Sequence, residues 1–313
     1  MNTKHLFSNN RMAKAMLGVT KEEFDSLLPT FASALKSLVR DRRPERKRAV
    51  GAGQKGSFKT AGEKLAFSLM YAKIYPTFDV MGFLTGTERT RSCRNAHFLL
   101  GVLEEALGRR LVLPERKIRS VEEFFEKFPE ARDIFPDGTE RPVQRPKDAK
   151  RRKKLYSGKK KRFTRKTIVV ADERKRILVL TPTKSGRRHD KRLWDKSGLP
   201  KAIPDGVTAW TDTGFLGMEK DHSNTQMPKK ARKNHPLTER DKQNNRIISG
   251  LRIVAEHAIG GMKRYKAAGR HLQKPHPEHR RQARPGECGP LELSSGTSDV
   301  NVKPSSSRRL SQI

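Results

Sequence analysis

The sequence predicts an α+β chain, an all-helical N-terminal part followed by one mixed sheet with flanking helices, on three observations. Up to Gly108 the apolar residues recur at helical spacing: Phe24, Leu27, Leu28, Phe31, Leu35 and Leu38, then Leu65, Leu69, Tyr71 and Ile74, then Phe98, Leu99, Leu100, Val102 and Leu103. Between Ile134 and Asp212 the pattern shortens to strand-like runs separated by turns. Beyond them Ile247, Ile248, Leu251, Val254, Ala255, Ala258, Ile259 and Met262 return to the i, i+3, i+4, i+7 spacing of one long helix packed on a core.

The elements follow in order. Thr20 and Glu23 make a capping box for the first helix, inside which Pro29 should kink or restart the chain. Arg40 to Lys59 is rich in Arg, Lys and Gly and reads as an exposed, phosphate-seeking loop. A helix from Lys64 to Tyr75 is stopped by Pro76. Thr77 to Leu84 is a short helix, Thr85-Gly86-Thr87 a turn, and Glu88 opens a third helix whose first turns are basic and polar. That order is the order of a helix-turn-helix, which places Arg89, Arg91, Arg94 and Asn95 in a DNA groove. Ser120 and Glu123 cap another short helix. Ile134 to Val143 is a strand, in which Pro136 removes one ladder donor. The basic run from Lys147 to Lys166 reads as a loop that holds a phosphate backbone beside the sheet, with Lys159, Lys160 and Lys161 at its centre. Two strands joined by Asp172 to Lys175 follow, then a helix near Gly186 to Trp194 and a strand from Val207 to Asp212. His271 to Ile313 has no period and is expected to be disordered. The predicted segments are therefore 1–59, 60–118, 119–270 and 271–313.

Charge points to the partner. A formal net charge of +35 over 313 residues repels itself unless a polyanion neutralises it, so nucleic acid is the expected ligand. The two cysteines supply neither a disulfide framework nor a four-cysteine zinc site, and Cys93 reads as a small semi-buried side chain. No apolar run reaches the roughly eighteen residues of a membrane span, and a cytoplasmic, nucleoid-associated protein without a membrane partner is expected. The scattered histidines argue against reading His189-Asp190 as the metal pair of an HD phosphohydrolase, and His257 falls off the polar stripe of its helix.

Three acids stand out from this basic background: Asp137 and Asp212, each at or near a strand, and Glu256, on the face of the long helix expected to point inward. Arg252, Glu256 and Lys263 are spaced by four and seven residues, which returns to nearly one azimuth on a helix. Carboxylate oxygens suit Mg²⁺, and two such ions about 3.5 to 4 Å apart stabilise both oxygens of an in-line phosphoryl displacement. Arg252 and Lys263 would hold nearby phosphates.

The segments Asp137-Gly138-Thr139-Glu140-Arg141-Pro142-Val143-Gln144-Arg145-Pro146, Tyr156 to Arg162, Asp212-Thr213-Gly214-Phe215-Leu216-Gly217 and Arg252 to Lys263 together resemble a DDE transposase of a bacterial insertion sequence, of the branch related to insertion sequence 5. The resemblance implies a ribonuclease H-like core in which Asp137, Asp212 and Glu256 are catalytic and bind two Mg²⁺ ions, with Mn²⁺ able to substitute. Arg252, Glu256 and Lys263 match the family's signature around its glutamate, with Ser249 where a tyrosine is usual. It further implies binding of terminal inverted repeats and target DNA as a homodimer, release of a 3′-OH and its joining to target. The alternative reading is a decayed, inactive copy that binds DNA without cutting it, to which the low-complexity tail after Lys266 points.

Overall fold

Local sequence signals set most of the helix boundaries. A computed structural model describes residues 3–42, 44–45, 56–110, 113–231, 233 and 236–269. The expected phosphate-seeking loop falls mostly outside these residues, and the tail 271–313 wholly so. Helices α1 (Thr3–Leu6), α2 (Asn10–Met16) and α3 (Lys21–Arg42) come first. The Thr20–Glu23 box forms as its sequence requires, Glu23 accepting from the Thr20 amide at 2.7 Å. Pro29 does not divide α3. Phe24, Leu27, Phe31 and Leu35 all lie on the buried side of this helix, and their burial outweighs the one intrahelical bond a proline removes.

Helix α4 (Ala61–Ile74) opens on a Thr60/Glu63 capping box and closes at Tyr75, which takes the left-handed conformation at φ 50° just before Pro76. Helices α5 (Phe78–Thr85) and α6 (Arg89–Arg109) follow, joined through Gly86 at φ 65°. One apolar core takes Phe24, Phe31 and Leu35 from α3, Leu65, Phe67 and Leu69 from α4, and Leu99, Val102 and Leu103 from α6.

Helix α7 (Val121–Lys127) leads into the sheet. Its strands are β1 (Asp133–Pro142), β2 (Tyr156–Ser157), β3 (Arg162–Asp172), β4 (Ile177–Leu180), β5 (Lys184–Ser185), β6 (Thr208–Trp210) and β7 (Thr225–Gln226). The central order is β4-β3-β1-β6-β7: β4, β3 and β1 are antiparallel neighbours, whereas β6 lies parallel to β1 and β7 parallel to β6. Both faces are covered. Ile168 and Val170 pack with Phe124, Leu193 and Trp194 on one side, while Val169 and Ala171 pack with Ala258, Ile259 and Met262 on the other. The first side belongs to α7 and α9 (Asp190–Asp195), the second to α10 (Glu239–Arg264). The period-two alternation of β3 divides its side chains between the two layers.

Two expectations change. The basic run is not all loop: Asp148 caps α8 (Ala149–Leu155), and β3 starts inside the run at Arg162. Its alternating Arg162, Thr164 and Lys166 sit at the start of a strand whose apolar second half drives pairing. The long helix also starts earlier than its apolar residues do, at a Thr238/Asp241 capping box. Beyond α10, α11 (Lys266–Gly269) packs on α4, and Tyr265 donates to the Gly18 carbonyl at 3.1 Å.

Candidate active site

Strand register brings the two aspartates together. Ile134 of β1 pairs in parallel with Ala209 of β6. Carried three residues forward on each chain, the same register sets Asp137 beside Asp212. Asp137 pairs with Val169 on the α10 side of the sheet. Asp212 stands just past the end of β6 and caps a short turn, accepting from the Gly214 amide at 2.8 Å. Pairing between β1 and β6 ends at Ile134, before Pro136, so the missing donor interrupts no bridge on that side. Pro136 itself is buried and pairs with Val170.

Electrostatics mark Asp137. Burial pushes its carboxyl above the usual range, the Gly138 amide at 2.7 Å opposes this, Asp212 raises it further, Arg252 lowers it, and Asp190 raises it again. Arg252 reaches Asp212 at 3.8 Å from α10. Lys263, three turns on, lies close enough to Asp137 and Glu140 to feel both charges, yet burial of its ammonium and the neighbouring Lys160 hold its pKa below normal. Lys160 thus lies near the far end of the polar stripe, and Lys159, Lys160 and Lys161 are all exposed.

Glu256 departs from expectation. It sits on the same helical stripe between Arg252 and Lys263, but its side chain is exposed rather than turned inward. The helix packs through the small residues Ala255 and Ala258, and a stripe beside that contact line borders solvent. Among the described residues, no group of three or more acids, histidines or cysteines is gathered closely enough to enclose a metal ion.

A buried ionic group lies beside Asp137. Glu140 and Lys166 face each other across β1 and β3 and pair at 3.3 Å, and Lys166 also reaches Asp190 at 3.2 Å. Burial raises the Glu140 pKa, but hydrogen bonds from Thr164 and Ser157 and the Lys166 charge outweigh it, leaving Glu140 lowered. The sequence offered Asp190 only as part of a His189-Asp190 pair, and nothing in its spacing ties it to Asp137. The legible signal was the pair of glycines, Gly138 and Gly214, that follow the two aspartates.

The residues expected to read DNA lie at the start of α6. Arg89, Arg91 and Arg94 are exposed and Asn95 half-buried. Arg89 pairs with Asp79 at 3.4 Å, and Arg91 donates to Ser57 at 3.1 Å. Cys93 is buried, which raises its thiol pKa, and His257 is exposed. No helix among the described residues is long and apolar enough to cross a membrane.

Residues 136–284 match the family described as DDE superfamily endonuclease. The chain is also 27% identical over 254 residues to a protein of Microchaete diplosiphon described as "probable transposase for insertion sequence element IS702", an alignment covering 81% of this chain and 83% of that protein. No solved structure matches. The matched region begins one residue before Asp137 and takes in Asp212 and Glu256. The chain is thus similar over residues 136–284 to the DDE superfamily of endonucleases and, over most of its length, to a probable insertion-sequence transposase.

Proposed function

We propose that the chain cuts insertion-sequence ends and joins them to target DNA, with Asp137, Asp212 and Glu256 as its catalytic acids. The observation that supports this reading is the approach of Asp137, in the middle of β1, to Asp212, just past the end of its parallel neighbour β6, with the helix that bears Glu256 packed on the same strands. The strand order is also the order expected of a ribonuclease H-like core.

The chemistry of the donors, oxygen ligands without exception, suits a hard divalent cation, two Mg²⁺ ions in this reading, with Mn²⁺ as a substitute. All the ligand candidates are carboxylates, and Asp137 lies half-buried beside like charges that a cation would offset. Asp137 and Asp212 would hold the ions, with Glu256 joining them from α10. Ions bound there supply charge stabilisation to the attacking and leaving oxygens of an in-line displacement. Arg252, Lys263 and the Lys159–Lys161 turn bind and orient the phosphodiester, as guanidinium and ammonium donors do.

Helices α4, α5 and α6 serve in this reading as a helix-turn-helix that recognises the terminal inverted repeats, Arg89, Arg91, Arg94 and Asn95 entering the groove, in a homodimer on DNA. A second reading, binding without cutting, draws support from the exposed Glu256. The two separate in an assay on a labelled inverted-repeat duplex with Mg²⁺. Asp212→Asn and Glu256→Gln are expected to abolish strand cleavage and to leave the duplex bound as tightly or more tightly. Cleavage at wild-type rate by either variant would overturn the assignment, and a wild-type chain that binds but never cuts would establish the second reading.

A further inference from the structure

We propose that Asp190 is a fourth acid of this site, a positioning residue that acts through Asp137 and Asp212 and strengthens the site's hold on a divalent cation. The inference rests on the DDE reading above and extends it to a residue outside the three acids.

Asp190 approaches from the sheet face opposite α10. Gly138 pairs with Ile168, whose side chain belongs to the α9 layer, and the Asp190 carboxylate lies directly against this glycine. A Cβ at Gly138 would overlap both Asp190 Oδ1 and the carboxyl carbon. A Cβ at Gly214 would lie 2.8 Å from Asp212 Oδ1 and 3.3 Å from Asp190 Oδ2. One carboxylate therefore occupies the gap between β1 and the segment after β6, and it fits because the residue after Asp137 and the second residue after Asp212 both lack side chains. The sandwich has Asp190 below, the two aspartates between, and Arg252 with the stripe of α10 above.

The route to this position is specified by the chain. Strand β5 pairs with Arg165 and Lys166 of β3, and the Gly186 amide donates to the Thr164 carbonyl at 3.0 Å. A Cβ at Gly186 would collide with Thr164, so the segment can cross β3 only as glycine. Three residues later His189 and Asp190 begin α9.

Charge distinguishes this arrangement from a structural ion pair. Glu140 alone balances Lys166, so Asp190 leaves that buried trio one negative charge in excess, beside two further acids. Its Oδ1 is fully buried and takes no hydrogen bond, although the Lys166 ammonium is 3.2 Å away. Excess buried negative charge is unfavourable unless a cation offsets it. Neighbours of this kind, one step removed from the ligands, change metal affinity about 10- to 100-fold when altered.

The test is Mn²⁺ binding to the full chain without DNA, measured calorimetrically, with the metal-free fold checked by thermal melting. Asp190→Asn keeps the shape and removes the charge. It is expected to melt at or above the wild-type temperature and to bind Mn²⁺ about tenfold or more weakly. Gly138→Ala, which retains every acid but drives Asp190 from the gap, is expected to weaken Mn²⁺ in the wild-type background and to have no further effect in the Asp190→Asn background. It decides the question alone if Asp190→Asn does not fold. Wild-type affinity in Asp190→Asn, or an equal effect of Gly138→Ala in both backgrounds, would overturn the proposal while loss of binding in Asp137→Asn left the DDE reading standing. Undiminished binding in Asp137→Asn would remove both.

Discussion

Asp137 is held in the folded chain at a cost that a bound cation would repay. Its carboxyl titrates above the usual range because burial, then Asp212 and Asp190, disfavour the charge. The folded state therefore binds this proton more tightly than the unfolded chain does. Where the unfolded group has ionised and the folded one has not, stability falls as pH rises, and above the folded pKa the loss is complete. Asp137→Asn is accordingly expected to raise the melting temperature of the metal-free protein at neutral pH and to leave it unchanged at pH values below the ordinary carboxylate range. A melting temperature that fell equally at both pH values would show that the Gly138 amide bond outweighs the buried charge. Tyr265 carries the complementary lesson. Burial pushes its hydroxyl to about 12, so it remains a donor to Gly18 through the alkaline range. Tyr265→Phe is expected to cost about 1 kcal/mol in urea unfolding.

At the scale of elements, helix caps are the most local features. The boxes at Thr20, Thr60 and Thr238 each satisfy orphan amides at a helix start, and the geometry appears in full at all three. Thr60→Ala should cost about 1 kcal/mol, since both the side chain and its Glu63 partner lose their bonds, and chemical denaturation monitored by far-ultraviolet circular dichroism would measure it. The apolar stripe of α10 was legible only in part. Ile248, Ala255, Ala258, Ile259 and Met262 are buried, but Ile247 and Leu251 remain exposed. Spacing identifies a face and does not say how far along it the partner reaches. Likewise Pro29 and Pro136 both looked disruptive in one dimension. One lies in a helix held by its packing, the other where a ladder has already ended.

At the scale of the whole molecule, α11 touches both the helical core and the sheet layer. The helical core built by α3, α4 and α6 includes Ala267 of α11, while Ala268 belongs to the layer between sheet and α10. The end of the acid-bearing helix is thereby tied to the helices that carry the arginine-rich segment. The positive charge is spread over the helical and the sheet-containing parts alike. Neutralising phosphates releases counterions, so the logarithm of DNA affinity should fall with the logarithm of salt by about 0.9 for each phosphate bound. Replacing Lys159, Lys160 and Lys161 together by alanine should reduce that slope by roughly 0.9 for each lysine that contacts a phosphate, as measured by titrating a labelled duplex between low and moderate salt. An unchanged slope would place the DNA backbone elsewhere.

The sequence by itself determined the helical beginning, the sheet and the basic character, because caps, periodicity and net charge are local or additive properties that survive in one dimension, and its motifs singled out three acids as candidates. Tertiary structure alone decided that Asp137 and Asp212 stand side by side, since their adjacency depends on a parallel register between strands more than sixty residues apart. It also decided that Glu256 faces solvent and that Asp190 fills the gap under Gly138. Such positions follow from which faces of the sheet are covered, and from the room two glycines leave between strands, neither of which any spacing of residues along the chain encodes.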